Sequence, residues 1–337
     1  MKKSGIALLG LGYYATEQLA PAFRHTRHCY LAAVITGDRS KGDHFIREYG
    51  LTEQQVYTYD QFDAIKQDAS IDIIYIVLPH HLHAEFTIKA LEAGKQVICE
   101  KPMAATVAEA EQMMAASMRT GKSISIGYRL HFDPYHQEMI RLFKEQVVGK
   151  PLSIECSFSF IPPKNVWRLS KEASGGGPLV DVGIYCIQAA CYITGQLPVA
   201  VTAQSLPVTD PEKFNGIEDT LNFQLEMSDG LIVHCRTSFS ETSSHLRINT
   251  ANGWAELNPA FNYDGLVLKR SDGMETVYPP CPQQALQMDA IAIAMQENKP
   301  SSVSASMGLR DMIIIEAVYK AMESGQRIPV NFNNLSL

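Results

Sequence analysis

Three side chains in this sequence have the chemistry to move a proton to or from a bound hydroxyl group. Asp181 and Tyr185 lie four residues apart in an apolar, helix-like stretch, so both should project from one helical face. Lys101 follows the strand-like run 96–99. A tyrosine pKa near ~10 is too high for an effective base at neutral pH, and a nearby ammonium group would lower it. We therefore predict an acid–base set in which Lys101 tunes Tyr185 and Asp181 orients the hydroxyl or the lysine. The sequence leaves open which of Lys101 and Tyr185 takes the proton.

A glycine-rich turn follows the first apolar run of the chain. Its pattern is Gly-x-Gly-x-x-Ala, and a helical segment begins within it. The first glycine permits a tight turn, the second lets the backbone approach a pyrophosphate, and the alanine keeps the helix close to the strand. The N-terminus of the helix would stabilise the negative charge. This context predicts a dinucleotide site that includes Gly10, Gly12, Tyr13, Tyr14 and Ala15.

The residues after the second predicted strand bear on which dinucleotide binds. An acidic side chain there binds the ribose 2′-hydroxyl, whereas basic side chains accommodate a 2′-phosphate. The strand ends at Thr36 and Gly37, and Arg39 and Lys41 follow. This order favours NADP(H). Asp38 keeps NAD(H) open as the alternative, because a loop shifted by one position would place its carboxylate at the ribose.

The first third of the chain alternates short apolar runs with helical segments. The runs are mostly apolar rather than alternating, as expected of strands buried on both faces of a sheet. This pattern predicts an α/β Rossmann domain with a parallel, doubly wound sheet over residues 1–127. Thr106 and Glu109 form a capping box that predicts a helix over 106–120. The predicted strands span residues 6–9, 30–36, 56–59, 71–78, 96–99 and 123–126.

The rest of the chain has longer strand-like runs joined by hairpin signals. Asp229-Gly230 and Asn252-Gly253 each separate two such runs. We predict that residues 128–337 form an α+β domain with a large, open, mainly antiparallel sheet. The predicted strands span residues 153–161, 220–227, 231–239, 245–250 and 254–257. The predicted helices span residues 131–146, 179–194, 284–297 and 307–324.

Composition argues against several classes of partner. The net charge of -7 does not suit a nucleic-acid-binding protein. The seven cysteines are scattered without a Cys-x-x-Cys pair, which favours buried free thiols and a cytoplasmic location. No apolar run approaches the length of a bilayer span, and the short N-terminal run lacks the cleavage site of a signal peptide. We expect no metal, because His80, His81 and His83 lack further ligands at suitable spacing.

Motifs along nearly the whole chain resemble those of the Gfo/Idh/MocA oxidoreductase family. Glu100-Lys101-Pro102 resembles its Glu-Lys-Pro strand end, and residues 79–83 resemble the loop after its fourth strand. Residues 127–129 resemble its domain junction, and residues 176–185 resemble its catalytic helix. Residues 166–169 and the tyrosine at 185, where many relatives carry histidine, look like the glucose-fructose oxidoreductase branch.

The resemblance implies an NAD(P)-dependent oxidoreductase that passes a hydride between the nicotinamide and an aldose, polyol or similar hydroxyl compound. It implies catalytic roles for Lys101, Asp181 and Tyr185, and cofactor contacts beyond the glycine-rich turn. These further contacts are Leu78, Pro79, His83, Glu100, Lys101, Arg129, Trp167 and Arg168. The alternatives are a trans-dihydrodiol dehydrogenase, an NAD-dependent glycosidase and a non-catalytic dinucleotide-sensing regulator.

The resemblance also implies a homodimer or homotetramer, formed through the solvent-side face of the C-terminal sheet. The predicted strand over residues 231–239 carries apolar side chains on both of its faces, for example Leu231 and Val233 on one face and Ile232 on the other. A sheet with one solvated face would alternate more cleanly. We therefore expect an apolar outer face that is covered by a second subunit.

Overall fold

The structure is a computed structural model that describes residues 2–214 and 216–332. The chain divides into two compact units. The first unit comprises Met1–Arg129 and Pro282–Leu309, and the second comprises Leu130–Cys281 and Arg310–Leu337.

The first unit contains a six-stranded sheet whose neighbouring strands are all parallel. Its strands are β1 (Ser4–Leu9), β2 (Cys29–Thr36), β3 (Val56–Thr58), β4 (Ile73–Ile76), β5 (Gln96–Cys99) and β6 (Ile124–Ile126). Their order is β3-β2-β1-β4-β5-β6, the order of dinucleotide-binding Rossmann folds. The predicted parallel Rossmann sheet is confirmed. Ligands of such sheets bind at the carboxyl ends of the strands, near the reversal between β1 and β4.

The second unit contains a nine-stranded sheet. Its strands are β7 (Pro151–Ser159), β8 (Pro198–Ser205), β9 (Thr220–Met227), β10 (Ile232–Ser238), β11 (Ser243–Thr250), β12 (Gly253–Leu257), β13 (Leu268–Arg270), β14 (Glu275–Thr276) and β15 (Ile328–Pro329). Their order is β14-β13-β12-β11-β7-β10-β9-β8-β15, and only β7 and β10 pair in parallel. The predicted large, mainly antiparallel sheet is confirmed.

The helices are α1 (Ala20–Ala22), α2 (Gly42–Tyr49), α3 (His83–Glu92), α4 (Val107–Thr120), α5 (Pro134–Lys144), α6 (Lys171–Ser174), α7 (Ile184–Thr194), α8 (Gln283–Gln296) and α9 (Ala305–Ser324). Two π-helical turns, Ala15–Leu19 and Leu179–Gly183, precede α1 and α7. The five helices with predicted limits are present and correspond to α4, α5, α7 with its preceding π turn, α8 and α9. The predicted capping box of α4 is present, since Thr106 accepts a hydrogen bond from the Glu109 amide. The predicted helix over 131–146 is shorter because Asp133 caps α5 at its own position.

Residues 282–309 belong to the first unit, although we expected the whole of 128–337 to form one domain. Asp289 of α8 accepts hydrogen bonds from the backbone amides of Arg27 and His28, both at 2.8 Å. The Ile126 amide donates to the Val303 carbonyl at 2.8 Å. These bonds join the segment to the residues just before β2 and to β6, and contacts of this kind are not visible in local sequence patterns.

The outer face of the large sheet is polar, contrary to the expectation of an apolar one. Strands β9, β10 and β11 alternate regularly between buried and partly exposed positions. The partly exposed positions carry mostly polar side chains, which include Asn222, Gln224, His234, Arg236 and His245. Ile232, which motivated the expectation, stands at the start of β10. A cavity of about 740 Å³ lies against this face.

All seven cysteines are free thiols; six are buried and Cys281 is partly exposed. One helical run, Lys171–Thr194, is long and apolar enough by composition to cross a membrane. However, 89% of its most apolar window is buried inside the structure, as in a core helix. We expected no run of this length, and it arises because α6, the second π turn and α7 are continuous.

Candidate active site

The glycine-rich turn has the geometry that a pyrophosphate site requires. Gly10 has φ of +95°, and a Cβ there would lie 2.5 Å from the Val77 carbonyl oxygen, so only glycine fits. A Cβ on Gly12 would meet nothing within 4 Å, which leaves its backbone open to an approaching ligand. Ala15 is fully buried and Tyr13 is exposed. The helix begins at this point with the first π turn, whose amide groups suit an anion.

The turn after β2 presents two basic residues and one acidic residue at the surface. The Asp38 carboxylate accepts hydrogen bonds from the Ser40 amide at 3.0 Å and the Ser40 hydroxyl at 2.7 Å, which lower the pKa of Asp38. The Arg39 guanidinium donates to the Glu53 carboxylate at 2.6 Å and to the Val56 carbonyl. Lys41 is exposed. Asp38 is therefore bonded within its own turn, while Arg39 is held by Glu53.

The end of β2 itself is less accessible. Thr36 is buried, and its hydroxyl bonds to the Asp38 backbone at 3.2 Å. Gly37 is exposed, and a Cβ there would lie 3.0 Å from the ring of Tyr59. Thr36 therefore shapes the turn through its hydroxyl group, and Gly37 does so because it has no side chain.

A buried chain of hydrogen bonds lies behind Lys101. Glu100 is buried and accepts from the Tyr75 hydroxyl at 2.8 Å and from the Lys101 amide at 3.2 Å. Gln287 of α8 donates to the Tyr75 hydroxyl at 2.6 Å. Burial raises the pKa of Glu100, whereas the positive charges of Lys101 and Arg129 oppose that rise. Glu100 thus fixes the backbone at Lys101.

His83 lies behind the same loop and is fully buried, and its contact with a cofactor stays a prediction. Its Nδ1 lies 2.9 Å from the Pro102 carbonyl oxygen, and its Nε2 lies 2.8 Å from that of Leu78. Burial lowers the pKa of His83 to about 4, so the ring is neutral at neutral pH. A neutral ring has one N–H and so donates to one of these two carbonyls, and the ring packs between the loop after β4 and the loop that carries Lys101.

The remaining predicted contacts of the first unit lie around these loops. The Leu78 side chain borders Gly10, and Pro79 begins the turn that leads to His83. Arg129 is buried and donates to the side-chain oxygen of Gln283. The first unit therefore brings together the glycine-rich turn, the loop after β4 and the Lys101 loop at the carboxyl ends of its strands.

In the second unit, Asp181 lies on the π turn before α7 and is buried. The Arg168 Nε donates to its carboxylate at 3.0 Å, and the Arg168 guanidinium lies 4.7 Å from the centre of the Trp167 ring. In the π turn, the Ile184 amide donates to the carbonyl of Leu179, five residues earlier. In an α-helix it would donate to the carbonyl of Val180, four residues earlier. Such turns occur frequently at functional sites. The structure therefore joins three of the predicted residues, Trp167, Arg168 and Asp181, in one cluster.

Tyr185 follows on α7 and is partly exposed. Its ring meets Phe158 edge-on with centres 5.2 Å apart, and Phe261 lies at 6.0 Å. The aromatic neighbours hold the ring orientation while part of the side chain stays accessible. The acid–base set of Lys101 with Asp181 and Tyr185 remains a prediction, since these residues belong to different units.

Sequence reasoning did not identify Glu218, a buried carboxylate that bonds to the backbone at the start of the π turn. The three glycines at 175–177 are the sequence signal that could have indicated it, because they mark a close approach to another segment. Among residues 2–214 and 216–332, no group of three or more His, Cys, Asp or Glu side chains is arranged to hold a metal ion.

Comparison with known proteins follows the two units. Residues 4–128 match the model described as "Oxidoreductase family, NAD-binding Rossmann fold", and residues 136–256 match the GFO/IDH/MocA C-terminal domain. The aldose-aldose oxidoreductase of Caulobacter crescentus, solved with glycerol, is 36% identical, with a TM-score of 0.93 over 98% of this chain and 100% of that one.

Two curated relatives are also similar. The NADP(+) D-xylose 1-dehydrogenase of Haloarcula marismortui is 29% identical over 94% of this chain and 91% of its own. The trans-1,2-dihydrobenzene-1,2-diol dehydrogenase of Xenopus laevis is 27% identical over 59% of this chain and 57% of its own. With both family models matched in order, the chain belongs to the GFO/IDH/MocA family of oxidoreductases.

Proposed function

We propose that this protein transfers a hydride between NADP(H) and a carbon of an aldose or similar polyol. The observation that carries the proposal is the 36% identity to an aldose-aldose oxidoreductase over 98% of the chain. The NADP(+) D-xylose 1-dehydrogenase supports the same substrate class and cofactor. The polar cluster of Asp181 and Arg168 beside a partly exposed Tyr185 suits a hydroxylated substrate.

The first unit would hold the dinucleotide. The open backbone at Gly12 and the helix N-terminus that follows would bind the pyrophosphate. When bound, the nicotinamide supplies the hydride acceptor or donor. Glu100 and His83 fix the Lys101 loop at the edge where Rossmann sheets bind their ligands.

The second unit would supply the proton-transfer helix. Tyr185 would take the proton from the substrate hydroxyl, and Lys101 would bind the reacting oxygen and stabilise the phenolate. Arg168 would hold the Asp181 carboxylate in an orientation toward the substrate hydroxyl or Lys101. Trp167, stacked on Arg168, would add an apolar surface for a sugar ring or the cofactor.

A second candidate substrate class is a trans-dihydrodiol. The Xenopus laevis relative carries that activity in its name, and the partly exposed ring of Phe158 beside Tyr185 offers an apolar surface for a carbocycle. The aldose proposal is preferred because its relatives are similar over nearly the entire chain.

The experiment is a substrate panel assayed by nicotinamide absorbance. Purified protein is mixed with NADP+ or NAD+ and with pentoses, hexoses, polyols or trans-dihydrodiols, and its native mass is measured in parallel to detect retained dinucleotide. We expect reduction of NADP+ by at least one aldose. Turnover confined to dihydrodiols, or no turnover although the dinucleotide binds, would contradict the proposal.

We also propose a cytoplasmic homodimer or homotetramer. The cellular location is supported by seven free thiols, of which six are buried. The subunit contact is assigned to the outer face of the large sheet. The polar character of that face suits an exchangeable contact between subunits, because non-obligate interfaces are about as polar as other surfaces, whereas homodimer interfaces are usually more apolar.

A further inference from the structure

Three successive glycines precede the π turn, and each meets a different constraint. Gly175 has φ of +78°, in the left-handed region. A Cβ on Gly176 would lie 2.0 Å from the Tyr319 hydroxyl oxygen. A Cβ on Gly177 would lie 2.3 Å from the Glu218 carbonyl oxygen and 2.8 Å from its carboxyl carbon. The backbone before Asp181 is therefore packed directly against Glu218 and Tyr319.

Glu218 bonds to that backbone with both carboxylate oxygens. It is buried, and it accepts from the Gly177 amide and the Leu179 amide, each at 3.1 Å. The amides of a first helical turn have no acceptor within the helix. Pro178, the residue that precedes the π turn, provides no side-chain cap. Glu218 therefore caps this helix from a distant part of the sequence.

Tyr319 of α9 holds the carboxylate from the other side. Its hydroxyl donates to Glu218 at 3.0 Å. Burial and the charge of Glu218 raise the pKa of Tyr319 well above its usual value, so the hydroxyl keeps its proton. Burial raises the pKa of Glu218, while its three hydrogen bonds favour the ionised form. The carboxylate thus has a full set of donors, and the proposed chemistry uses neither side chain.

We propose that Glu218, held by Tyr319, is a positioning residue that sets the location of Asp181 and Tyr185 for proton transfer. It acts through the backbone, because Leu179 is the first residue of the π turn that carries Asp181 and leads into α7. This role rests on the proposed function of Tyr185. The glycines at 175–177 and Glu218 thus act together. The glycines let the backbone approach the Glu218 carboxylate, and the carboxylate holds the first turn of the helix in place.

The test compares Glu218→Gln and Tyr319→Phe with the matched control Asp219→Asn. The Asp219 carboxylate accepts from the Thr209 amide and hydroxyl, both at 2.7 Å, so it anchors another loop. Glutamine has the same shape as glutamate, but its NH₂ group replaces one of the two oxygens that accept hydrogen bonds. The NH₂ group therefore faces another hydrogen-bond donor. Small displacements of catalytic groups cost about 100-fold in rate, and we expect kcat of Glu218→Gln to fall by roughly that factor. Dinucleotide Kd should stay within about twofold, because the Rossmann unit is unchanged.

Hydrogen exchange provides a readout that does not depend on turnover. In Glu218→Gln, amides of residues 177–185 should exchange faster, with a smaller effect in Tyr319→Phe, which keeps the carboxylate. Asp219→Asn should leave both exchange at 177–185 and kcat unchanged.

Two results would overturn the positioning role: unchanged exchange at 177–185 in Glu218→Gln, or faster exchange there with normal kcat. The positioning role would also fail if Asp219→Asn lost as much kcat and global stability as Glu218→Gln. Glu218 would then only stabilise the fold. If the wild-type protein turns over no member of the substrate panel, the proposed function fails instead, and the exchange measurement still decides whether Glu218 holds the helix.

Discussion

The Arg39 guanidinium bonds to the Glu53 carboxylate and to the carbonyls of Glu53 and Val56, and it has to release the carboxylate if it is to bind a 2′-phosphate. It forms an ion pair with Glu53, and the two side chains are 44% and 66% exposed. An ion pair this exposed contributes about 0–1 kcal/mol. Charged hydrogen bonds to a phosphate contribute about 1.5–3 kcal/mol, so the exchange is favourable.

We therefore predict that Arg39→Ala weakens NADP(H) binding about 10-fold or more and changes NAD(H) binding little. The control is Arg47→Ala, an exposed arginine on α2. Fluorescence titration with both dinucleotides measures the effect. Tighter binding of NAD(H) than of NADP(H) by the wild-type protein would contradict this prediction. Asp38 would then be assigned as the residue that binds the ribose.

Lys101 and Tyr185 should act as one unit, since each is needed for the same proton transfer. Groups that act together give non-additive losses. Lys101→Ala and Tyr185→Phe should each lower kcat by about 10²–10⁴-fold, and the double variant should lose little more. A double-mutant cycle in aldose oxidation measures this, with dinucleotide Kd as the control. Additive losses would mean separate roles, and near-normal kcat in Tyr185→Phe would leave Lys101 as the acid–base group.

Among the structural elements, the loops around His83 bury its imidazole, and burial disfavours the charged form of the ring. Burial lowers the pKa of His83 to about 4, below its usual value of 6.5. The folded state then binds fewer protons than the unfolded chain between these values. The resulting stability is present above about pH 6.5 and is lost as pH falls toward 4.

Replacing His83 by asparagine should therefore remove part of the acid sensitivity of the free energy of unfolding. The free energy of unfolding of the wild type should fall relative to that of His83→Asn by about 3 kcal/mol from pH 7 to pH 4, since one pKa unit is 1.36 kcal/mol. Urea unfolding across this range measures it, and His25→Gln, at an exposed histidine, is the control. A constant difference across pH would show that His83 does not titrate in the folded state as described.

Elements with strong local signals were predictable, whereas elements and residues defined by distant partners were not. The limits of β5 and β9 match the predicted strands, because their apolar patterns and turn residues are local. Strand β8 was not predicted; it begins at Pro198, and its other residues include two alanines, a glutamine and a serine. The roles of Glu218 and His83 depend on backbone groups that the fold brings to them. The candidate site was found through motifs, and its supporting residues required the structure.

At the scale of the whole molecule, the outer face of the large sheet determines the expected assembly. We predict twice or four times the chain mass by light scattering at micromolar concentration. Gln224→Glu with His234→Glu adds like charges to a face that would meet itself across a two-fold axis, and it should shift the protein toward monomer. Glu111→Lys, at an exposed position on α4, is the control. A monomer mass for the wild-type protein would refute the proposed assembly.

The transfer of a hydride from a sugar carbon to the nicotinamide can be measured directly with an isotope. The protein is incubated with NADP+ and an aldose that is deuterated at every carbon, and the reduced dinucleotide is isolated and weighed by mass spectrometry. The proposed function predicts NADPH that is heavier by one deuterium, located at C4 of the nicotinamide. Reduced dinucleotide without deuterium, or no reduction of either NADP+ or NAD+ by any aldose that the protein binds, would contradict it.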